Sequence, residues 1–294
     1  MRLSVSSPQV RRLIRLAIEE DLGSGDITTE SVVEKDARAR ARVVTRQAGI
    51  AAGLPLIAAV MREFAAEVKV RRMAHDGMEV SPGQTLAAID GPARALLSAE
   101  RTVLNFVQRL SGVATLTRKF VDAVAGTPAR IYDTRKTTPG WRMLEKYAVK
   151  TGGGENHRMG LYDQVLIKDN HLAAMRGRGR SLTSAVAAIR AERPGVVIEV
   201  EADTEADVCA AVHAGVDVIL LDNMTVEQIV SAVKLTRALS GSRRPILEAS
   251  GRIDLETVRG VAEAGVDRIS VGTITHSAPA LDIAMEFEMK DAGS

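Results

Sequence analysis

The 294-residue chain predicts an α/β protein in two parts: a small mixed α+β region, then a barrel or incomplete barrel of about six parallel strands. Three observations carry this. From residue 130 onward, short apolar runs alternate with amphipathic segments long enough for one helix each, the pattern of a parallel sheet with right-handed crossovers. The six runs are apolar almost throughout, as strands covered on both faces must be, which favours a barrel over an open sheet. No G-x-G-x-x-G follows a first strand, which weighs against a dinucleotide-binding sheet.

The opening MRLSVSSPQVRRLIRLAIEEDLG reads as an amphipathic helix. Over 37–95 the pattern breaks often. Val68, Val70 and Leu86, Ala88 stand at period two with Gly and Pro between them, which predicts strands joined by tight turns, and LPLIAAVMREFAA at 54–66 predicts a helix. A long helical region follows over 95–125, with an interruption expected at Ser111-Gly112. The predicted parallel strands are ARIYD (129–133), QVLIK (164–168), VVIEV (196–200), DVILLD (217–222), PILEAS (245–250) and DRISVG (267–272). Four helices lie between them: SLTSAVAAIRAER, TEADVCAAVHAG, TVEQIVSAVKLTRAL and DLETVRGVAEAG. AGVDVILLD and AGVDRISVG look alike, but two copies mark neighbouring βα units and not a solenoid.

Composition narrows the function classes. With 39 basic and 37 acidic residues the net charge is +2, which excludes a broadly basic nucleic-acid coat; aromatics at 3% leave little for base stacking. One cysteine, Cys209, excludes a disulfide framework and fits a reducing cytoplasm. The N-terminus lacks the apolar stretch of a signal peptide, and no apolar run is long enough to span a membrane. A soluble cytoplasmic protein that binds neither nucleic acid nor membrane is expected.

In parallel α/β architectures the chemistry lies at the carboxyl ends of the strands. Here those ends carry Asp133, Thr134, Arg135 and Lys136; Lys168, Asp169, Asn170 and His171; Glu199 and Glu201; Asp222 and Asn223; Ser250-Gly251; and Gly272-Thr273. Charge is sorted as well. Residues 130–170 hold eight Lys/Arg against five Asp/Glu, and Arg135, Lys136, His157, Arg158 and Lys168 fall in loops or at strand ends. Arginine pairs bidentately with carboxylate or phosphate, and lysine acts as a point charge. Gly152-Gly153-Gly154 beside His157 reads as backbone that lets a ligand approach closely. Ser250-Gly251 and Gly272-Thr273 precede helices, where barrels commonly hold a phosphate. The expected ligands are anionic, with carboxylates on the Arg/Lys side and a phosphate on the Gly side; Glu201 and Asp222 between them suit ribose hydroxyls or a Mg²⁺-bound phosphate.

At these residues the chain resembles a known family. The run DTRKTTPGWRMLEKYAVKTGGGENHRMGLYDQVLIKDNH (133–171) is similar to the signature of the quinolinate phosphoribosyltransferases, and EDLGSGDITT, SAERTVLNFVQRLSGVAT, EVEADT, ILLDN, EASG and VGTITHS follow the family order. The resemblance implies an N-terminal α+β sandwich-like domain over 1–112, rejoined by a C-terminal helix over 277–294, and an incomplete barrel over 113–276. It implies the reaction of quinolinate with phosphoribosyl pyrophosphate and Mg²⁺ to give nicotinate mononucleotide, pyrophosphate and CO₂, a step of NAD biosynthesis. Arg101, Thr134, Arg135, Lys136, His157, Arg158 and Lys168 match the quinolinate-binding positions. Arg101 would come across a homodimer interface, with further assembly left open. Glu201, Asp222, Ser250, Gly251, Arg252, Val271, Gly272, Thr273 and His276 match the phosphoribosyl and phosphate positions. Lys136, Lys168, Glu201 and Asp222 are the implied catalytic set, and Glu201 and Asp222 the implied metal residues, directly or through water or pyrophosphate. The chain departs from the family pattern twice: Trp141 stands where Leu is common, and Glu248-Ala249-Ser250-Gly251-Arg252 where Glu-Ser-Ser-Gly-Gly is common.

Two other readings share these residues: a nicotinate phosphoribosyltransferase without decarboxylation, and a non-catalytic relative serving metal transport or ligand binding. Other features read as structural. The His75–Gln84 segment resembles a carrier-domain hairpin but has no lysine at its tip, RGRGR at 176–180 is a solvated connector, His213 lies on a helix surface and Cys209 fills a core.

Overall fold

In the computed structural model, which describes residues 3–176, 179–241 and 243–289, the first elements in chain order are α1 (Pro8–Leu22), α2 (Ile27–Val32), β1 (Arg38–Thr45), β2 (Gly49–Ile50), α3 (Leu54–Phe64), β3 (Lys69–Arg72), β4 (Glu79–Val80), β5 (Thr85–Pro92) and α4 (Ala93–Ala123). There follow β6 (Arg130–Tyr132), α5 (Arg142–Thr151), β7 (Val165–Ile167), α6 (Asp169–Arg176), α7 (Leu182–Glu192), β8 (Ile198–Ala202), α8 (Glu205–Ala214) and β9 (Val218–Asp222). The last are α9 (Val226–Leu239), β10 (Ile246–Ser250), α10 (Val258–Glu263), β11 (Arg268–Ser270), α11 (Thr273–His276) and β12 (Ile283–Met289). They cluster into two units: one of residues through Arg118, Thr137–Gly153 and everything from Ile274, the other of Lys119–Lys136 and Gly154–Thr273. Residues 177–178 of the predicted connector lie outside the described residues.

The first unit is built on an antiparallel sheet of order β12-β1-β5-β3. β1 alternates arginines outward (Arg38, Arg40, Arg42) with Ala39, Ala41 and Val43 inward, the mark of a sheet with one wet face. Against expectation, the segment after residue 277 is not a helix where described: Ile283–Met289 is a strand paired along β1, from Thr45↔Ile283 to Ala39↔Met289. Its sequence IAMEFEM alternates apolar and acidic residues, a period of two that a helix cannot use. The predicted break at Ser111-Gly112 is also absent, since α4 runs unbroken. Gly112 serves close approach: a Cβ there would meet the Pro279 carbonyl oxygen at 1.9 Å. Gly152 does the same, its missing Cβ clearing the Ala114 carbonyl oxygen at 2.4 Å, so this part of the glycine run packs α5 on α4 and does not admit a ligand.

A buried ion pair ties this unit together. Glu145 accepts from Arg109 Nη2 at 2.7 Å, from the Thr138 hydroxyl at 2.8 Å and from the Thr138 main-chain N–H at 3.0 Å. Arg109 also donates to the carbonyls of Ala278 and Thr275. Trp141 stacks on Phe106 with ring centroids 4.8 Å apart, which gives the departure at this position a packing partner. Asp76 accepts from the main chain of Gly53 and Leu54 and from the Tyr147 hydroxyl, so the carrier-like segment caps α3.

The second unit holds six strands, every pair parallel, in the order β6-β11-β10-β9-β8-β7. The first strand pairs with the last, as in a barrel, while among the described residues no ladder joins β6 to β7; Tyr132 of β6 makes a single parallel bridge to Glu155 in the loop before β7. This is the incomplete barrel the sequence predicts. The helices are sharply capped: Thr225 and Gln228 form a capping box on α9, and Thr204 and Ser181 cap α8 and α7. His213 is exposed on the last turn of α8, as expected, but Cys209 is half-buried and not in the core.

Candidate active site

Parallel register brings the strand ends of the second unit to one level: Ser250 pairs with Asp222, Ala202 with Leu221 and Ser270 with Tyr132. At this rim lies a cavity of about 500 Å³. Thr134, Arg135 and Lys136 enter it from the end of β6, His157 and Arg158 from the following loop, and Lys168 from the end of β7. Asp222 and Asn223 come from β9, and Ser250, Gly251 and Arg252 from β10. Of the basic and small residues singled out in the sequence, Arg135, Lys136, His157, Arg158, Lys168, Ser250 and Gly251 therefore converge on one cavity.

The basic side is dense enough to perturb itself. Burial, and then the neighbouring Arg135 charge, pull Arg158 below the usual arginine value, and its Nη1 is anchored on the Gln164 carbonyl at 3.2 Å. The loop beyond is fixed by Asp163, which accepts from the Met159 and Gly160 amides. His171 accepts the Lys168 main-chain N–H at 2.9 Å, which makes it a local cap.

Beneath the basic wall sits a buried cluster. His157 Nε2 is 3.0 Å from Glu199 and 3.3 Å from Glu248, both carboxylates wholly buried. Burial pulls the imidazole pKa down, but the hydrogen bonds to Glu199 and Glu248 outweigh it and lift it to about 9. The Arg158 main-chain N–H donates to Nδ1 at 2.8 Å, which leaves Nε2 as the proton-bearing nitrogen facing the two carboxylates. Burial likewise pushes the Glu199 carboxyl up, opposed by His157. Asp133, buried, accepts the His157 main-chain N–H at 2.8 Å and the Asn156 amide at 2.6 Å.

On the acidic side, Lys168 Nζ donates to Glu201 at 2.7 Å. Glu201, Asp203 and Asp222 bring one carboxylate oxygen each to within 4.8 Å of one another. Burial, and then the Asp222 charge, raise the Asp203 carboxyl. Three hard oxygen donors at this spacing fit a Mg²⁺ ion or its bound waters.

The glycine side is strained where it matters. Asn223 and Arg252 are the two non-glycine residues with positive φ among those described, at 53° and 43°, and Gly251 lies between them in space at φ 95°. A Cβ on Gly251 would stand 2.2 Å from Asn223 Oδ1, so glycine is required there. Arg252 occupies a conformation that a glycine adopts without cost.

Six expected residues do not line this cavity. Val271 is buried, its N–H on the Tyr132 carbonyl, and Gly272 and Thr273 lie past the end of β11. Glu201 stands beside the cavity through Lys168. Arg101, exposed on α4, and His276, exposed with Nδ1 on the Ser277 hydroxyl, belong to the first unit. Conversely, Glu248 and Ser270 line the cavity, and Glu199, Asp133 and Asp203 support it, without having been assigned roles. Their signal was present: a carboxylate within an apolar run such as VVIEV or PILEAS has no solvent to face and needs an internal partner.

The C-terminal domain of the quinolinate phosphoribosyl transferases matches residues 113–286, and their N-terminal domain matches residues 26–111. The chain belongs to this family. A Mycobacterium leprae relative of the family named nicotinate-nucleotide pyrophosphorylase [carboxylating] is 43% identical over 280 residues, 94% of this chain and 96% of that one. A mitochondrial quinolinate phosphoribosyltransferase [decarboxylating] of Nicotiana tabacum is 38% identical, over 95% of this chain and 82% of that one. The crystal structure of NadC from Streptococcus pyogenes superposes with a TM-score of 0.90 at 36% identity, covering 99% of this chain and all of that one. A human nicotinic acid phosphoribosyltransferase, 15% identical with a TM-score of 0.60 over 97% of this chain and 74% of that one, shares the fold alone. Among the described residues, no helix is long and apolar enough to cross a membrane.

Proposed function

We propose that this chain transfers the phosphoribosyl group of phosphoribosyl pyrophosphate to the ring nitrogen of quinolinate with decarboxylation, giving nicotinate mononucleotide, pyrophosphate and CO₂ for NAD biosynthesis. The observation that carries this reading is the cavity itself: Arg135, Lys136, Arg158 and Lys168 on one wall, with His157 beside them, offer more cationic groups than a monocarboxylate needs. Thr134 adds a hydroxyl to that wall. Arg101, exposed on α4, is the residue a second subunit of a homodimer would contribute.

Facing them, Ser250, Gly251 and Arg252 present the phosphate-binding turn, extended by Gly272 and Thr273 past the end of β11. Glu201 and Asp222, joined by Asp203, hold the ribose end and are the residues that would hold Mg²⁺, which when bound neutralises the departing pyrophosphate. The quinolinate nitrogen attacks the anomeric carbon as the bond to pyrophosphate breaks. The positive charge that develops on the ribose faces Glu201 and Asp222, an interaction that strengthens in the transition state. The C2 carboxylate then departs as CO₂, its electron pair staying on C2 beside the positively charged ring nitrogen, and C2 takes up a proton from water to give the mononucleotide; Lys136 and Lys168 orient the ring for that step. A single cysteine supports a reducing, cytoplasmic setting.

The test is product analysis with phosphoribosyl pyrophosphate, Mg²⁺ and either quinolinate or nicotinate. Quinolinate should yield mononucleotide and CO₂ one to one. Product from nicotinate alone would make the chain a transferase without decarboxylation, and product from neither would make it a binding accessory.

A further inference from the structure

Two buried glutamates remain outside this chemistry. Glu199 on β8 and Glu248 on β10 both aim at one atom, His157 Nε2, at 3.0 and 3.3 Å. Each is itself oriented: Gln164 Nε2 donates to Glu199 at 2.5 Å, and the Ser270 hydroxyl donates to Glu248. Yet each leaves its second oxygen, Glu199 Oε1 and Glu248 Oε2, without a hydrogen bond among the described residues, Arg268 standing 3.8 Å from the latter. A half-satisfied buried carboxylate is a poor device for fold stability, since an apolar side chain of similar volume often serves as well or better. What the pair does achieve is geometric. With Asp133 holding the His157 main chain at 2.8 Å, the ring is fixed at both ends, next to Arg158 and inside the cavity wall.

We propose that Glu199 and Glu248 are positioning residues that hold the His157 imidazole by Nε2 from beneath the cavity, so that the ring forms a fixed wall against which the pyridine dicarboxylate is registered. The proposal rests on the reading of the cavity as the quinolinate site. If the ring swings, the dicarboxylate loses its register while the phosphoribosyl wall, built from β9 and β10 turns, keeps its own.

The experiment is steady-state kinetics of the full chain with each substrate varied, in wild type, Glu248→Gln and Glu248→Met, with Glu199→Gln alongside. The glutamine variants keep both acceptors for the Nε2 proton and should raise the quinolinate KM about threefold; E248M removes one of the two and leaves the ring held from the Glu199 side alone, which should raise it about tenfold or more, with the phosphoribosyl pyrophosphate KM within about twofold of wild type. An unchanged quinolinate KM in E248M, or equal rises in both Michaelis constants, would overturn the proposal. A second readout needs no variant to fold: the imidazole ¹⁵N spectrum of wild type should show His157 Nε2 carrying a slowly exchanging proton, and a signal averaged between tautomers would contradict the clamp. If wild type makes no product from quinolinate, the reading of the cavity fails, and the histidine spectrum still decides whether the clamp exists.

Discussion

Glu145 in the first unit and Glu248 in the second are both wholly buried, and each lies against a basic side chain, yet their surroundings differ. Glu145 receives Arg109, 36 positions earlier, and both donors of Thr138, seven positions earlier, so both of its oxygens are engaged. Glu248 receives the Ser270 hydroxyl and the His157 ring on one oxygen and leaves the other without a hydrogen bond. A fully satisfied buried charge locks a fold; a half-satisfied one at a cavity wall is retained for what it holds. Burial alone does not separate the two kinds, and the count of donors does.

The contrast can be broken from both sides. The largest effect belongs to the open cluster's own wall: Arg135→Ala or Lys168→Ala should lower kcat/KM for quinolinate by at least about a hundredfold with little change in the unfolding midpoint, because truncating one member of a charge-assisted contact costs about 2–5 kcal/mol. Turnover near the wild-type rate would remove that residue from the site. Next, Glu145→Gln should cost about 3 kcal/mol of folding stability, since it leaves Arg109 without its carboxylate, and denaturant titration would reveal it.

A comparable effect follows from His157 through pH. Against the pull of burial, Glu199 and Glu248 raise its pKa from the ordinary 6.5 to about 9. The stabilisation it supplies is therefore fully present below pH 6.5 and is lost as pH rises through about 9, up to about 3 kcal/mol. The stability difference between wild type and His157→Asn should shrink across that window; a difference independent of pH would mean that the ring is neutral in the native state. The smallest effect is at the glycine turn. Arg252→Gly should stabilise the protein by roughly 0.5–1 kcal/mol, because Arg252 holds φ at 43°. A loss of stability would show that the arginine side chain compensates for its backbone.

Much of the second unit was legible because its strands are short apolar runs and its helices carry their own caps, so each element is specified locally. The basic wall was legible for the same reason: Arg135, Lys136, Arg158 and Lys168 sit at strand ends or in loops within one stretch of sequence. What escaped depends on partners far along the chain. Gly112 reads as a helix breaker until Pro279 is seen against it. The strand at Ile283–Met289 needs β1, more than 230 residues earlier, to define its register. Glu248 reaches a histidine 91 positions away, and no local pattern names that partner. The three-glycine run misled in a different way: flexibility and close packing both ask for glycine, and at Gly152 packing is the reason.

The most direct measurement is a paired one on Glu145→Gln and Glu248→Gln, each assayed for unfolding midpoint and for quinolinate KM in the same preparation. The account predicts a crossed result: E145Q loses stability and keeps the KM of wild type, while E248Q keeps its midpoint and raises the KM. Both variants losing stability with an unaltered quinolinate KM would contradict it, because Glu248 would then be one more structural charge.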